Sequence, residues 1–225
     1  METTLVAPIA YAVLVLTVDL SVDVILSMQD GVDKLTPAQF EQLAMQGRWH
    51  GAALIIACPA TLAVLWTGTR RAGRQFSEYL ALNWPNRNEL LGAFAAMAVV
   101  LLIQMSLWPV GPSTNPILTV RGAAGLLALL IGGCIAAPIT EEFLFRGFIF
   151  RGWSESFLGP LGAIVLSSVI WGLYHTQYDG FIRLWIGICG GVLCTIRWRT
   201  NSTWLTVIAH SAINTFVFFA PGPYV

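Results

Sequence analysis

"APITEEFLFRGFIFRGW", residues 137–153, places two adjacent glutamates and an arginine inside a long apolar segment. The rest of the chain makes them conspicuous. Of its 225 residues 56% are hydrophobic and only 11% are charged, and the mean hydropathy is +0.70. A soluble domain carries about 25% charged residues. This chain lacks the polar surface that water requires, and its natural solvent is lipid. Nine Trp and five Tyr fit that reading, because both residues favour the membrane–water interface. A formal net charge of zero gives no electrostatic case for a nucleic-acid partner. Cys58, Cys134, Cys189 and Cys194 stand singly in apolar stretches, with no C-x-x-C pair, and read as small buried hydrophobes.

Hydropathy divides the chain into seven spans, near 5–26, 49–68, 89–108, 122–150, 160–175, 181–197 and 204–220. Backbone groups in lipid must pair within their own segment, so the expected fold is an all-α, polytopic transmembrane bundle. The first span lacks the basic flank of a signal peptide and reads as retained. The fourth exceeds the roughly 20 residues a bilayer needs, and Pro138 is placed to kink it just before the glutamates. Residues 36–47 and 75–84 carry apolar side chains at helical spacing and read as interfacial helices. Residues 111–116, GPSTNP, are turn chemistry. With the N-terminus in the cytoplasm, the cytoplasmic side holds Arg70, Arg71, Arg74, Arg87, Arg151, Arg197 and Arg199. The other side holds Lys34, Arg48, Arg121 and Arg183, a bias that supports this orientation.

A charge at mid-bilayer costs roughly 2.5–3.5 kcal/mol, so Glu141, Glu142 and Arg146 need partners. Helix geometry separates them. Glu142 and Arg146 are i,i+4 on one face and can pair, whereas Glu141 is turned about 100° away and stays available. The division of labour expected is Glu142 with Arg146 as scaffold and Glu141 as the chemical group. His210 and Asn214 in the last span are likewise i,i+4, and Ser168, Trp171 and His175 share a face in the fifth. A glutamate and two histidines from three helices make either a base-and-polariser set or a divalent metal site, such as zinc, on Glu141, His175 and His210. Read alone, the Glu–Arg pair fits packing glue as well as function, His50 reads as interfacial, and Asp19 and Asp23 read as near the membrane surface, with a water-filled path as their alternative. Depth poses a difficulty. At about 1.5 Å per residue Glu141 lies about 13 Å from the cytoplasmic end of its span, His210 about 9–10 Å and His175 about 22 Å. Convergence therefore needs a fifth helix that starts later, or a fourth that is broken or tilted.

Three motifs then carry a resemblance. "EEFLFRG" (141–147) resembles the E-E-x-x-x-R motif of the CAAX protease and bacteriocin-processing family of intramembrane proteases, "WGLYH" (171–175) its aromatic-x-x-x-His motif, and "HSAIN" (210–214) its H-x-x-x-N/D motif. The second motif more commonly begins with Phe, where this chain has Trp171. The resemblance covers about 122–220. It implies one integrated membrane domain, with family-variable helices over 1–120 and a catalytic core over 121–225. It further implies a polar cavity open to the cytoplasmic leaflet of a bacterial inner membrane, and a membrane-associated or lipidated protein or peptide as substrate. Carried over, Glu141 activates water with His175 as its partner. His210 and Asn214 polarise the scissile carbonyl, and Glu142 and Arg146 hold Glu141 in place. Two rival readings keep the same residues: a non-catalytic immunity or scaffolding member, and an ion-coupled transporter using Asp19, Asp23 and Glu141 as relay groups.

Overall fold

A computed structural model describes residues 47–107, 122–176 and 178–219, with scattered positions between 9 and 39. Most of the first expected span, including Asp19 and Asp23, nearly all of 36–47, and the loop 111–116 lie outside the described residues. Within them the chain is a helical bundle, and the pairing of Leu82 with Ser202 is an isolated bridge. Among the described residues four helices are long and apolar enough to cross a membrane: α1 (Gly47–Arg71), α2 (Arg87–Leu107), a motif helix running from Gly122 to Ser154, and α3 (Gly180–Thr200). Two shorter apolar helices complete the core, α4 (Gly159–Tyr174) and α5 (Thr203–Phe219). The sixth expected span proves to be a full 21 residues, while the fifth remains short at 16.

The bundle is inside out relative to a soluble protein. Leu102, Val165, Leu173 and Leu184 point outward, while Glu142, Arg146, Arg197, Ser167 and Thr206 are buried. Lipid gives apolar side chains no reason to hide, so packing and polar contacts hold the helices together. Small residues let the backbones meet. A Cβ on Gly132 of the motif helix would come within 2.2 Å of the Gly51 carbonyl oxygen of α1. One on Gly172 of α4 would come within 2.7 Å of the Arg183 oxygen of α3.

The segment 75–84 departs from the expected surface helix. Only Phe76–Tyr79 forms a helical turn, after which Leu80 plunges into the core against Gly147. The backbone that follows is strapped to the start of α5. The Thr203 hydroxyl donates to the Leu80 carbonyl, the Thr203 N–H to Ala81 at 2.9 Å, and the Ser202 hydroxyl to Asn83 at 2.6 Å. The amphipathic spacing was read correctly, but its apolar face meets protein. Trp84, 75% exposed, keeps the interfacial character expected of the segment.

Candidate active site

The motif helix is not a uniform α-helix. Two π-helical stretches, Gly132–Ala136 and Phe143–Ile149, flank the α-helical Ala137–Glu142 that carries the glutamates. Such wide turns concentrate at functional sites. The first has an identifiable cause. Ala137 donates its N–H to Gly132, an i→i+5 bond, and in that register the partner of the Gly133 carbonyl would be Pro138, which has no N–H. The Asn214 side chain supplies the missing donor, its Nδ2 lying 2.8 Å from the Gly133 oxygen. Pro138 therefore widens the helix, and a side chain from α5 covers the carbonyl it leaves unpaired.

The two glutamates then enter different surroundings. Glu142 is fully buried. Its Oε1 accepts from Arg146 Nη1 at 2.8 Å and is bonded to His210 Nδ1 at 2.9 Å. One carboxylate oxygen thus ties the motif helix to α5. Charge-assisted bonds of this kind are stronger than neutral ones, and a buried charge that loses its partner is strongly destabilising. The Arg146 guanidinium also lies over the Trp171 ring, 4.1 Å from its centroid, a cation–π contact strengthened by burial.

Glu141 is less enclosed, with 14% of its side chain exposed. Trp171 Nε1 donates to its Oε2 at 2.6 Å. His175 Nε2 lies 4.0 Å from the same oxygen, too far for a direct hydrogen bond. The imidazole is set by its other nitrogen: Nδ1 lies 2.8 Å from the Trp171 carbonyl, which accepts only if Nδ1 carries the proton. In the neutral ring Nε2 is then left as an acceptor facing Glu141. The Tyr178 ring stacks beside His175 at 6.2 Å. Burial, reinforced by the Glu141 charge, raises this phenol above its ordinary pKa, so it stays protonated.

The structure thus brings together five of the six residues expected from sequence, in two groups. Glu142, Arg146 and His210 form one, and Glu141 with His175 the other. Asn214 stands apart on Gly133. His210 turns Nδ1 to Glu142 and does not join the Glu141–His175 pair. Among the described residues no three His, Cys, Asp or Glu side chains converge as metal ligands do. The candidate set Glu141, His175 and His210 therefore does not fit a zinc site in this arrangement. The depth difficulty narrows once the boundaries are seen. The motif helix runs on to Ser154, so Glu141 lies about 20 Å from that end, against about 24 Å for His175 from Gly159. Trp171 is the residue the sequence underrated. In the sequence it stands only as the aromatic residue that opens the second motif, and its N–H, the feature that distinguishes it from Phe, was the available signal.

A family model, "Type II CAAX prenyl endopeptidase Rce1-like", matches residues 123–216. The chain is 28% identical over 187 residues to the Bacillus subtilis (strain 168) protein named "Putative membrane peptidase YdiL", covering 80% of this chain and 74% of that one. It is 29% identical over 82 residues to the UPF0177 protein YxdF of Lactococcus lactis subsp. lactis (strain IL1403), covering 36% of this chain and 44% of the relative. No solved structure matches. All three motifs, from Glu141 to Asn214, lie inside the matched segment, so over its motif-bearing core this membrane protein is similar to the Rce1-like, type II CAAX prenyl endopeptidases that its motifs resemble.

Proposed function

We propose that the chain is an intramembrane endopeptidase that hydrolyses a peptide bond in a membrane-associated or lipidated protein or peptide. The observation that carries this reading is the contrast at one helical turn: a Glu142 locked into a buried ion pair beside a Glu141 that keeps partial access and faces His175 across 4.0 Å. That gap is too wide for the two groups to bond each other, and short enough for one water to donate to both acceptors. Glu141 would take a proton from this water as its oxygen attacks the carbonyl carbon. His175 orients the water, then receives that proton from Glu141 as the tetrahedral intermediate collapses and passes it to the leaving amine, so that the C–N bond breaks and both side chains return to their starting states. His210, held through Nδ1, presents Nε2 as a donor to the carbonyl oxygen when the ring is cationic. Asn214, engaged with Gly133, supports the helix that carries Glu141.

The arginine-rich end of the bundle is proposed to face the cytoplasm. It gathers Arg70 and Arg71 at the end of α1, Arg87 at the start of α2, Arg151 in the last turns of the motif helix, and Arg197 and Arg199 at the end of α3. His175 closes α4 at the opposite end. Labelling of a cysteine at Phe157, fully exposed in the arginine-rich turn, by an impermeant thiol reagent in intact cells and in inverted vesicles tests this. Reaction only in inverted vesicles is expected, and reaction in intact cells would reverse the orientation.

Proteolysis is tested with purified protein in detergent, a farnesylated C-a-a-X peptide and its unprenylated counterpart, with and without chelator. Cleavage by wild type and none by Glu141→Gln is the expected result, with chelator having no effect. Equal cleavage by the variant would remove Glu141 from the chemistry.

A further inference from the structure

We propose that Trp171 is a positioning residue for Glu141, an inference that rests on the water-activating role just given to that glutamate. Its indole joins both polar groups. The N–H donates to Glu141 Oε2 at 2.6 Å, the ring face carries the Arg146 guanidinium at 4.1 Å, and the rings of His175 and His210 meet it edge-on at 5.1 and 5.4 Å. The ring is only 4% exposed. Room for it depends on Gly190, where a Cβ would sit 2.8 Å from Trp171 Cε3 and 3.2 Å from Arg146 Nη2.

An indole N–H can donate but never accept, so Trp171 cannot compete for the proton that Glu141 removes from water. It restrains one carboxylate oxygen and leaves the other unrestrained. A glutamate side chain left to its rotamers would lose much of the benefit of a preorganised base. Phenylalanine at this position would keep the ring under Arg146 and between the two histidines, yet supply no donor. The ion pair of Glu142 therefore reaches the reactive glutamate through a single aromatic ring: Arg146 fixes the indole from its face, and the indole fixes Glu141 from its edge.

Two readouts decide the matter. In protein labelled with 15N at the indole nitrogen, the Trp171 signal is identified by its absence in Trp171→Phe. Glu141→Ala should then shift that signal, because a short bond to a carboxylate is lost, while the signal of exposed Trp84 stays in place. An unmoved Trp171 signal would overturn the contact. In the peptide assay Trp171→Phe should lower kcat roughly 10- to 100-fold, the worth of a hydrogen bond to a charged group, with KM within about twofold and the melting temperature unchanged. Replacing Trp171 by benzothienylalanine, which keeps the bicyclic shape and lacks the N–H, should give the same loss. Wild-type kcat in the benzothienyl protein would reduce Trp171 to a packing residue. A wild type that cleaves neither peptide would sink the functional reading, while the indole signal would still decide the contact.

Discussion

Glu141 and Glu142 are neighbours in sequence and opposites in setting. Glu142 is completely enclosed, shares one oxygen between Arg146 and His210, and ties two helices together. Glu141 has no cation within bonding distance among the described residues, keeps 14% of its side chain exposed, accepts from a Trp donor and faces the open side of a histidine across 4.0 Å. A turn of about 100° per residue separates the two environments. The lesson is that a membrane protein can place a reactive carboxylate safely by spending its immediate neighbour on structure.

The comparison can be broken in several places. The largest effect is expected for Glu141→Gln, which keeps size and hydrogen bonding but removes the base: cleavage should fall roughly 10³-fold or more, with a melting temperature within about 2 °C of wild type. His175→Gln should lower kcat on the order of 10²-fold and again leave stability intact, as measured by thermal unfolding in detergent. Glu142→Ala works the other way. Stranding the buried Arg146 costs about 3–5 kcal/mol, which corresponds to a drop in melting temperature on the order of 10 °C, seen also as lower yield from the membrane. The smallest effect is expected at Asn214→Ala, which uncovers the Gly133 carbonyl. An interhelical hydrogen bond of this kind is worth about 0.6–1.7 kcal/mol in a membrane protein, a shift of a few degrees. A loss of activity at Asn214 as deep as that at Glu141 would instead place this amide on the substrate.

The class of the fold was legible because lipid leaves so few options: long apolar runs must become helices, and the motif helix, α1, α2 and α3 appear near their expected places. The Glu142–Arg146 pair was legible too, since i,i+4 spacing on one helix needs no tertiary knowledge. Contacts between helices were not. That His210 would choose Glu142 over Glu141 depends on the rotation of α5 against the motif helix, which the straps between Leu80–Asn83 and Ser202–Thr203 help to set across more than a hundred residues. Pro138 was read as a kink. Its effect on the structure, a widened turn repaired by Asn214, requires knowing which helix lies alongside. The amphipathic segment 75–84 misled because an apolar stripe fits a membrane surface and a protein groove equally well.

The most direct test of two adjacent carboxylates with separate duties is to purify Glu141→Gln and Glu142→Gln side by side and follow their thermal unfolding together with peptide cleavage. Wild-type melting with cleavage abolished in Glu141→Gln, and clearly lowered melting in Glu142→Gln, is the expected pair of results. Equal destabilisation of both variants would contradict it, because Glu141 would then be as much a part of the scaffold as its neighbour.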